Sequence, residues 1–301
     1  MGLRAAARRC ALKTASVLRL NDLALALQAR RDAGPRIVVV EMHETLLAHA
    51  DRLREHLDWV SNHFTLIDPA TFGYAWERKA QTWPGSKPAV LFTFDDGRES
   101  NYHVAAPILE SFGARGIFFI APQFIGLRSK EAKNFYYSKI DIRNCGRPGM
   151  TDTAGATEEV WTPMTPQQLA DLTRRGHWIG NHSFSHSRLA GLSASDLQRE
   201  VRESREQIAA WTGKPVDAFA WAYSWDAIDT AAWQLIRETH RFCFTPCPGT
   251  VDLAGDSPHL IWRKEIESYY APSEYQFMYS GLVDPIWSGK RKALKKMLGR
   301  Q

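Results

Sequence analysis

Two rhythms of apolar and polar positions run along this chain. Short, largely apolar runs recur at residues 36–41, 90–94, 116–121, 177–180, 218–223 and 242–245, and a further strand-like run lies at 260–266. Runs of that length, bounded by Gly, Pro and polar residues, predict buried strands. Helical spacing fills most of the gaps. Leu46, Leu47, Leu53, Leu57 and Val60 predict a helix over 45–64, and a second is expected over 104–112, ended by Gly113. Thr165, Pro166 and Gln168 form a helix start, with the cap, Pro at the first turn and Gln three residues on. That helix runs to Arg175, and another covers 196–211, closed by Gly213 and Pro215. Residues 124–160 lack either rhythm and are expected to be an insertion loop with some local helix. Strands alternating with helices predict parallel βα units, and a barrel-like sheet of that kind carries its chemistry at the C-terminal ends of its strands.

Length and composition allow one large α/β domain: 301 residues with 44% hydrophobic content can bury a full core. No run of 18 apolar residues exists, so a membrane-spanning helix is not expected. The Arg-rich first 30 residues are interrupted by Lys13, Arg19, Asn21 and Asp22 and do not read as a secretory signal; an organellar transit peptide is a minor alternative. Cys10, Cys145, Cys243 and Cys247 are scattered, which fits a reducing compartment and buried free thiols better than a zinc site. The net charge of +5 is concentrated at the two ends, around an acidic body. Between Lys290 and Leu298, Ala293, Leu294, Met297 and Leu298 recur at helical spacing opposite the lysines. Such a helix over 288–301 could lie on an anionic membrane surface, or be a solvated tail. Nucleic acid is not an expected partner, because no aromatics interleave with the basic residues. The expected organisation is a basic, helical leader (1–33), a catalytic domain (34–270) and a C-terminal extension (271–301), in a cytoplasmic protein that could sit peripherally at the inner membrane face.

Four strand ends carry candidate chemistry. Met42-His43-Glu44 follows the first, Asp95-Asp96-Gly97 the second, Asn181-His182-Ser183-Phe184-Ser185-His186 the fourth, and Trp221-Ala222-Tyr223-Ser224 the fifth. An Asp-Asp-Gly turn is by itself an ordinary way to leave a strand. His-x3-His is a spacing familiar from zinc sites, and two imidazoles with one carboxylate leave positions open for water and substrate. Together they meet the requirement for ligands, a base and an open site.

Thr93-Phe94-Asp95-Asp96-Gly97 with the Asn181–His186 segment resembles the polysaccharide deacetylase family (NodB homology, carbohydrate esterase 4), in particular its branch acting on poly-N-acetylglucosamine-type or surface-polysaccharide substrates. Ala105-Ala-Pro-Ile-Leu109 and Gly176-His177-Trp-Ile-Gly-Asn-His182 match as well, and the likeness covers residues 36–267. The resemblance implies a distorted (β/α)7 barrel, TIM-barrel-like, that hydrolyses acetyl groups from amino sugars with a divalent metal, most often Zn2+ (Co2+ or Ni2+ as alternatives). It implies Asp96, His182 and His186 as ligands and Asp95 as general base. The Tyr223 backbone N–H would be an oxyanion donor, with Ser183 orienting the histidine loop and Arg263 pairing with Asp95. Departures exist: Ala220-Trp221-Ala222-Tyr223 lacks the usual Arg and Pro, and the late Leu-x-His motif is missing. In the poly-N-acetylglucosamine branch a histidine near the first strand takes over as acid, which makes His43 the candidate here. Trp161 and Trp225 are candidate sugar platforms. The expected substrate is an N-acetylated amino sugar in a polysaccharide, oligosaccharide or lipid-linked precursor. The alternatives are a deformylase or other amide hydrolase on the same scaffold, and an inactive carbohydrate-binding relative.

Overall fold

Strand β1 (Arg36–Met42) shows how the sheet is buried. Ile37 and Val39 enter one buried cluster with Leu91, Ile117 and Phe119. Val38 and Val40 enter the other, with Phe92, Phe118 and with Leu53, Leu57 and Val60 of helix α1 (Ala50–His63). Alternation with both faces covered is the behaviour of a parallel strand under helices. This computed structural model describes residues 36–78, 87–141 and 158–298. The expected leader, Cys10, Cys145 and positions 142–157 of the expected loop lie outside the described residues.

The rest of the sheet follows in chain order. A two-residue strand, β2 (Thr65–Leu66), and helix α2 (Pro69–Glu77) precede β3 (Ala89–Phe94). Then come α3 (Ala106–Ser111), β4 (Gly116–Ile120), α4 (Ser129–Phe135) and α5 (Pro166–Arg174). Strand β5 (Trp178–Asn181), helices α6 (Ala194–Gln198) and α7 (Ser204–Thr212) and strand β6 (Ala218–Ala220) lead to α8 (Thr230–Thr239) and β7 (Phe242–Thr245). β1, β3, β4, β5, β6 and β7 pair in parallel in that order. A short β8 (Val251–Asp252), antiparallel to β1, had no sequence signal.

The single strand expected over 260–266 is corrected by the structure. It breaks at Arg263 into β9 (Ile261–Trp262), paired with β7, and β10 (Lys264–Glu265), paired with β1. One bent segment thereby joins both edges of the sheet, giving seven strand positions around a nearly closed barrel. The expected (β/α)7 architecture is thus present.

Other elements differ in detail. Residues Leu47–His49 form a 3-10 turn, so the first helix starts at Ala50 rather than 45. The strand expected over 218–223 stops at Ala220, since Tyr223 takes a left-handed φ of 65°. Helices α2 and α8 were not foreseen, although Asp68 and Asp229 cap them by accepting from the Thr71 and Ala232 N–H groups. The Thr165–Gln168 capping box forms as expected.

The C-terminal extension is built into the barrel. Tyr275 and Tyr279 of α9 (Pro272–Tyr279) join the cluster around α1, and His56 stacks on Tyr275 at 4.3 Å. In α10 (Ser288–Leu298), Leu294 and Leu298 are buried in the core, and the Trp233 indole N–H donates to the Leu298 carbonyl at 2.9 Å. Buried Lys264 pairs with Asp284 at 2.9 Å. Half of the apolar stripe that the sequence offered to a membrane, Leu294 and Leu298, is therefore spent on the barrel, while Ala293 and Met297 stay exposed. What α10 and the preceding turn leave exposed is Leu282, Ile286, Ala293, Met297 and the lysines. Among the described residues, no helix is long and apolar enough to cross a membrane.

Candidate active site

The ends of β1, β3, β5 and β6 and the Arg263 bend bring the expected residues together. Thr93 donates its hydroxyl to the Val40 carbonyl at 2.7 Å, and the Asp95 N–H donates to the Met42 carbonyl at 2.9 Å, which ties the two strand ends in register. The chain then turns sharply. Asp96 has φ 77° and Gly97 φ 85°, and a side chain on Gly97 would meet Ile120 and Ile125 at 2.9 Å. Ser183, His186 and Tyr223 also have left-handed φ values, of 64°, 54° and 65°. Non-glycine residues in this region are uncommon, and four of the five described here sit in one constellation, the pattern of strain held at a functional site.

Asp96, His182 and His186 offer ligand atoms that lie within 4.8 Å of one another, all buried. Asp96 Oδ1 is 3.4 Å from His186 Nε2 and 3.9 Å from His182 Nε2. His182 Nδ1 donates to the Ala220 carbonyl at 2.7 Å, and His186 Nδ1 donates to the Lys139 carbonyl at 2.9 Å. Each ring thus turns its Nε2 lone pair toward Asp96, the tautomer a metal ligand needs. Burial lowers His182 to about 4, so its imidazole is neutral at ordinary pH. Burial alone would raise Asp96, but the close approach of His186 and the Arg98 charge hold it well below the carboxylate range. Arg98 donates to the other Asp96 oxygen at 3.1 Å, leaving Oδ1 for the histidines. This donor set of two imidazoles and a monodentate carboxylate fits a divalent transition metal.

Asp95 lies beside this trio, with Oδ2 3.8 Å from His182 Nε2, and joins it to a second group. Arg263, wholly buried, forks onto it: Nη1 donates to Oδ1 at 2.7 Å and Nη2 to Oδ2 at 2.8 Å. Nη2 also donates to Glu41 at 3.0 Å. Burial would raise Asp95, but Arg263 and then His182 bring it below its usual value, so it stays ionised. Glu41, where burial outweighs Arg263, is raised to about 7. Glu41, His43 and Asp95 also have ligand atoms within 4.8 Å of one another, yet the guanidinium already occupies the cation position there.

His43 closes that side. Its Nδ1 donates to Glu267 at 2.7 Å, and its Nε2 lies 3.8 Å from Glu41. Burial disfavours the charge, but Glu267 together with Asp96 and Glu41 outweighs it and raises His43 well above the usual imidazole value. Tyr223 packs its ring 4.8 Å from His186 and donates its hydroxyl to the His186 carbonyl at 2.9 Å. The structure thus gathers all seven predicted residues. Trp161 is instead buried in a small aromatic cluster with Phe124 and Phe135.

Five contributors carried no sequence reading: Glu41, Arg98, Glu267, Glu200 and the Lys139 carbonyl. Glu200 accepts from the Ser185 N–H at 3.0 Å and from the Ser185 hydroxyl at 2.7 Å, bracing the loop between the two histidines. It lies in a π-type turn, Arg199–Glu203, a distortion that recurs near functional sites. Glu41 and Glu267 had a usable signal, each being an acid at a strand end on the face that carries the histidines. Lys139 had none, because a backbone carbonyl leaves no mark on residue type.

Comparison with known proteins agrees with this architecture. A curated relative named for the polysaccharide deacetylase family, YxkH of Bacillus subtilis, is 24% identical over 121 residues, covering 40% of this chain. The match spans only 32% of that relative's length. The structure of IcaB from Ammonifex degensii superposes with a TM-score of 0.61 at 15% identity, covering 82% of this chain and 97% of that one. A de-N-acetylase from Aggregatibacter actinomycetemcomitans gives 0.59 at 16% identity, covering 81% and 99%. At these identities the likeness is one of fold. The family model described as polysaccharide deacetylase matches residues 83–240, over half of the sequence, and the chain belongs to that family.

Proposed function

We propose that the chain is a metal-dependent hydrolase of non-peptide amide bonds that removes the acetyl group from an N-acetylated amino sugar. Family membership supports the reaction class. The observation that carries the reading is the division of the aspartate pair: Asp96 faces two imidazole lone pairs, while Asp95 is held ionised by Arg263 beside them. Asp96, His182 and His186 would hold the metal, with zinc the best match to imidazole and carboxylate donors and cobalt or nickel as substitutes. When bound, the metal supplies Lewis acidity to the acetyl carbonyl and acidifies a water.

The chain's own residues do the rest. Asp95 Oδ2, 3.8 Å from His182 Nε2, is placed to take a proton from that water. The Tyr223 N–H, presented by its left-handed backbone, stabilises the oxyanion as the water oxygen bonds to the acetyl carbon. His43, kept protonated by Glu267, donates to the departing amine as the C–N bond breaks. The products are acetate and a free amino sugar.

An oligosaccharide or lipid-linked saccharide is the proposed substrate class, in the cytoplasm or peripherally at the inner membrane face. The exposed lysines of α10, such as Lys292 and Lys296, support contact with an anionic surface. Because Leu294 and Leu298 are core residues, charge reversal at Lys292 and Lys296, rather than deletion of 288–301, is the clean test of that contact. The reaction is tested by acetate release from a panel of lipid-linked, nucleotide-linked and oligomeric N-acetylated sugars. Chelator-sensitive release that disappears in Asp95→Asn is expected. Release that persists in Asp95→Asn would overturn the assignment of the base, and formate release in place of acetate would redirect the reading to a deformylase.

A further inference from the structure

Amide hydrolysis has two sides, and the site separates them. The acetyl carbonyl belongs with the metal ligands and Tyr223, while the leaving nitrogen belongs with His43. That nitrogen is attached to the sugar, so the saccharide has to lie on the His43 side. Six large hydrophobic side chains are exposed among the described residues, and two of them, Leu47 and Tyr269, sit on the loops that carry His43 and Glu267. Tyr269 is 49% exposed and only two residues from the carboxylate that orients His43. Leu47 is 71% exposed, four residues from His43.

This rim is braced. The Tyr269 ring leans on the His49 ring, with centroids 5.5 Å apart and planes at 57°. Ser268 donates its hydroxyl to the Glu44 carbonyl at 2.5 Å and meets His49 Nδ1 at 3.2 Å. The Leu47 N–H donates to Glu159 at 2.5 Å. An exposed aromatic ring held by its neighbours costs little entropy when it binds, and its face suits the apolar C–H face of a pyranose.

We propose that Tyr269, supported by His49 and flanked by Leu47, forms a saccharide subsite on the acid side of the centre, taking a sugar ring beyond the one that is deacetylated. The enzyme is then built for a chain of sugars rather than a single residue. This rests on the proposed deacetylase reaction.

Steady-state acetate release from N-acetylglucosamine and from its β-linked tetramer tests the subsite in wild type, Tyr269→Ala and Tyr269→Trp, with thermal melting confirming that each variant folds. For Tyr269→Ala the tetramer KM rises about tenfold, the scale of an aromatic contact truncated at a binding surface. Its kcat stays within about twofold, kcat/KM for the monomer is unchanged, and Tyr269→Trp keeps the tetramer preference. Unchanged tetramer kinetics in Tyr269→Ala, or an equal loss on both substrates, would overturn the subsite. If wild type releases acetate from neither, the reaction as proposed on these sugars has failed. The subsite is then judged by calorimetric titration with the same tetramer, where equal affinity of wild type and Tyr269→Ala refutes it and weaker affinity in Tyr269→Ala supports it.

Discussion

Replacing Arg263 with Met tests the electrostatic logic of the centre. The guanidinium is fully buried and neutralises two carboxylates at once, with a fork on Asp95 and a third bond to Glu41. Methionine fills similar space without charge and leaves both acids buried and unpaired. Breaking a buried pair in this way costs about 3–5 kcal/mol, which for a domain of this size lowers the melting temperature by roughly 6–20 °C. The cost has a pH signature. In the intact protein Asp95 is depressed, so its contribution is present above the ordinary carboxylate value and is lost only as pH falls through its lowered folded value. Without Arg263, burial governs both acids and raises them, so the variant is most stable when they are protonated and weakens as pH rises through the raised values. The gap between wild type and variant is therefore widest in mild alkali and narrows in mild acid. Thermal unfolding of the metal-free proteins at about pH 8 and about pH 5.5 measures it, with Arg263→Lys, which keeps the charge but not the fork, falling between. A loss below about 1 kcal/mol, or one equal at both pH values, would show that Arg263 is not the counter-ion of this pair.

Four further outcomes follow from named contacts. His43→Ala should lower kcat by about 10²–10⁴, and a loss under about tenfold would argue against acid catalysis; Glu267→Gln should remove the carboxylate that raises His43 and move the alkaline limb of the kcat–pH profile to lower pH. Glu200→Ala should release the Ser185 loop and weaken metal affinity by about 10–100-fold, read by competitive chelator titration, with Glu200→Gln retaining more of it. Leu294→Ala should cost about 2–5 kcal/mol in chemical denaturation, because its side chain is part of the barrel core; an effect near zero would mean that α10 is not docked in solution.

What the sequence made legible was local. The Asp95-Asp96-Gly97 turn and His182-x3-His186 lie within a few residues of their own strand ends, and apolar runs place strand ends directly. Strands buried on both faces announce themselves, since every position of β3 is apolar except Thr93. The remainder depends on closure. Arg263 meets Asp95 across 168 positions, a pair expected only through the family resemblance, and His43 meets Glu267 across 224; no periodicity encodes such pairs. The run 260–266 carries Arg263, Lys264 and Glu265 in succession, and residue type alone does not show that β9 and β10 pair with different neighbours. Helix α10 misled for a related reason: an amphipathic stripe fits a membrane or a barrel equally well until its partner, around Trp233, is in place.

The bend at Arg263 has a consequence for how the chain acquires competence. All three candidate ligands, Asp96, His182 and His186, precede it in sequence, so a chain growing from its N-terminus contains them long before residue 263 is made. Asp95 has no such independence. Its counter-ion arrives only with the bent segment that closes the sheet, where β10 with β1 is the most sequence-distant pairing and one that slow, non-local closure governs. An incomplete chain could gather the candidate ligands and still leave Asp95, the proposed base, without the charge that keeps it ionised. Sealing the barrel and pairing the proposed base are one event, and on that reading catalytic competence becomes a readout of finished folding.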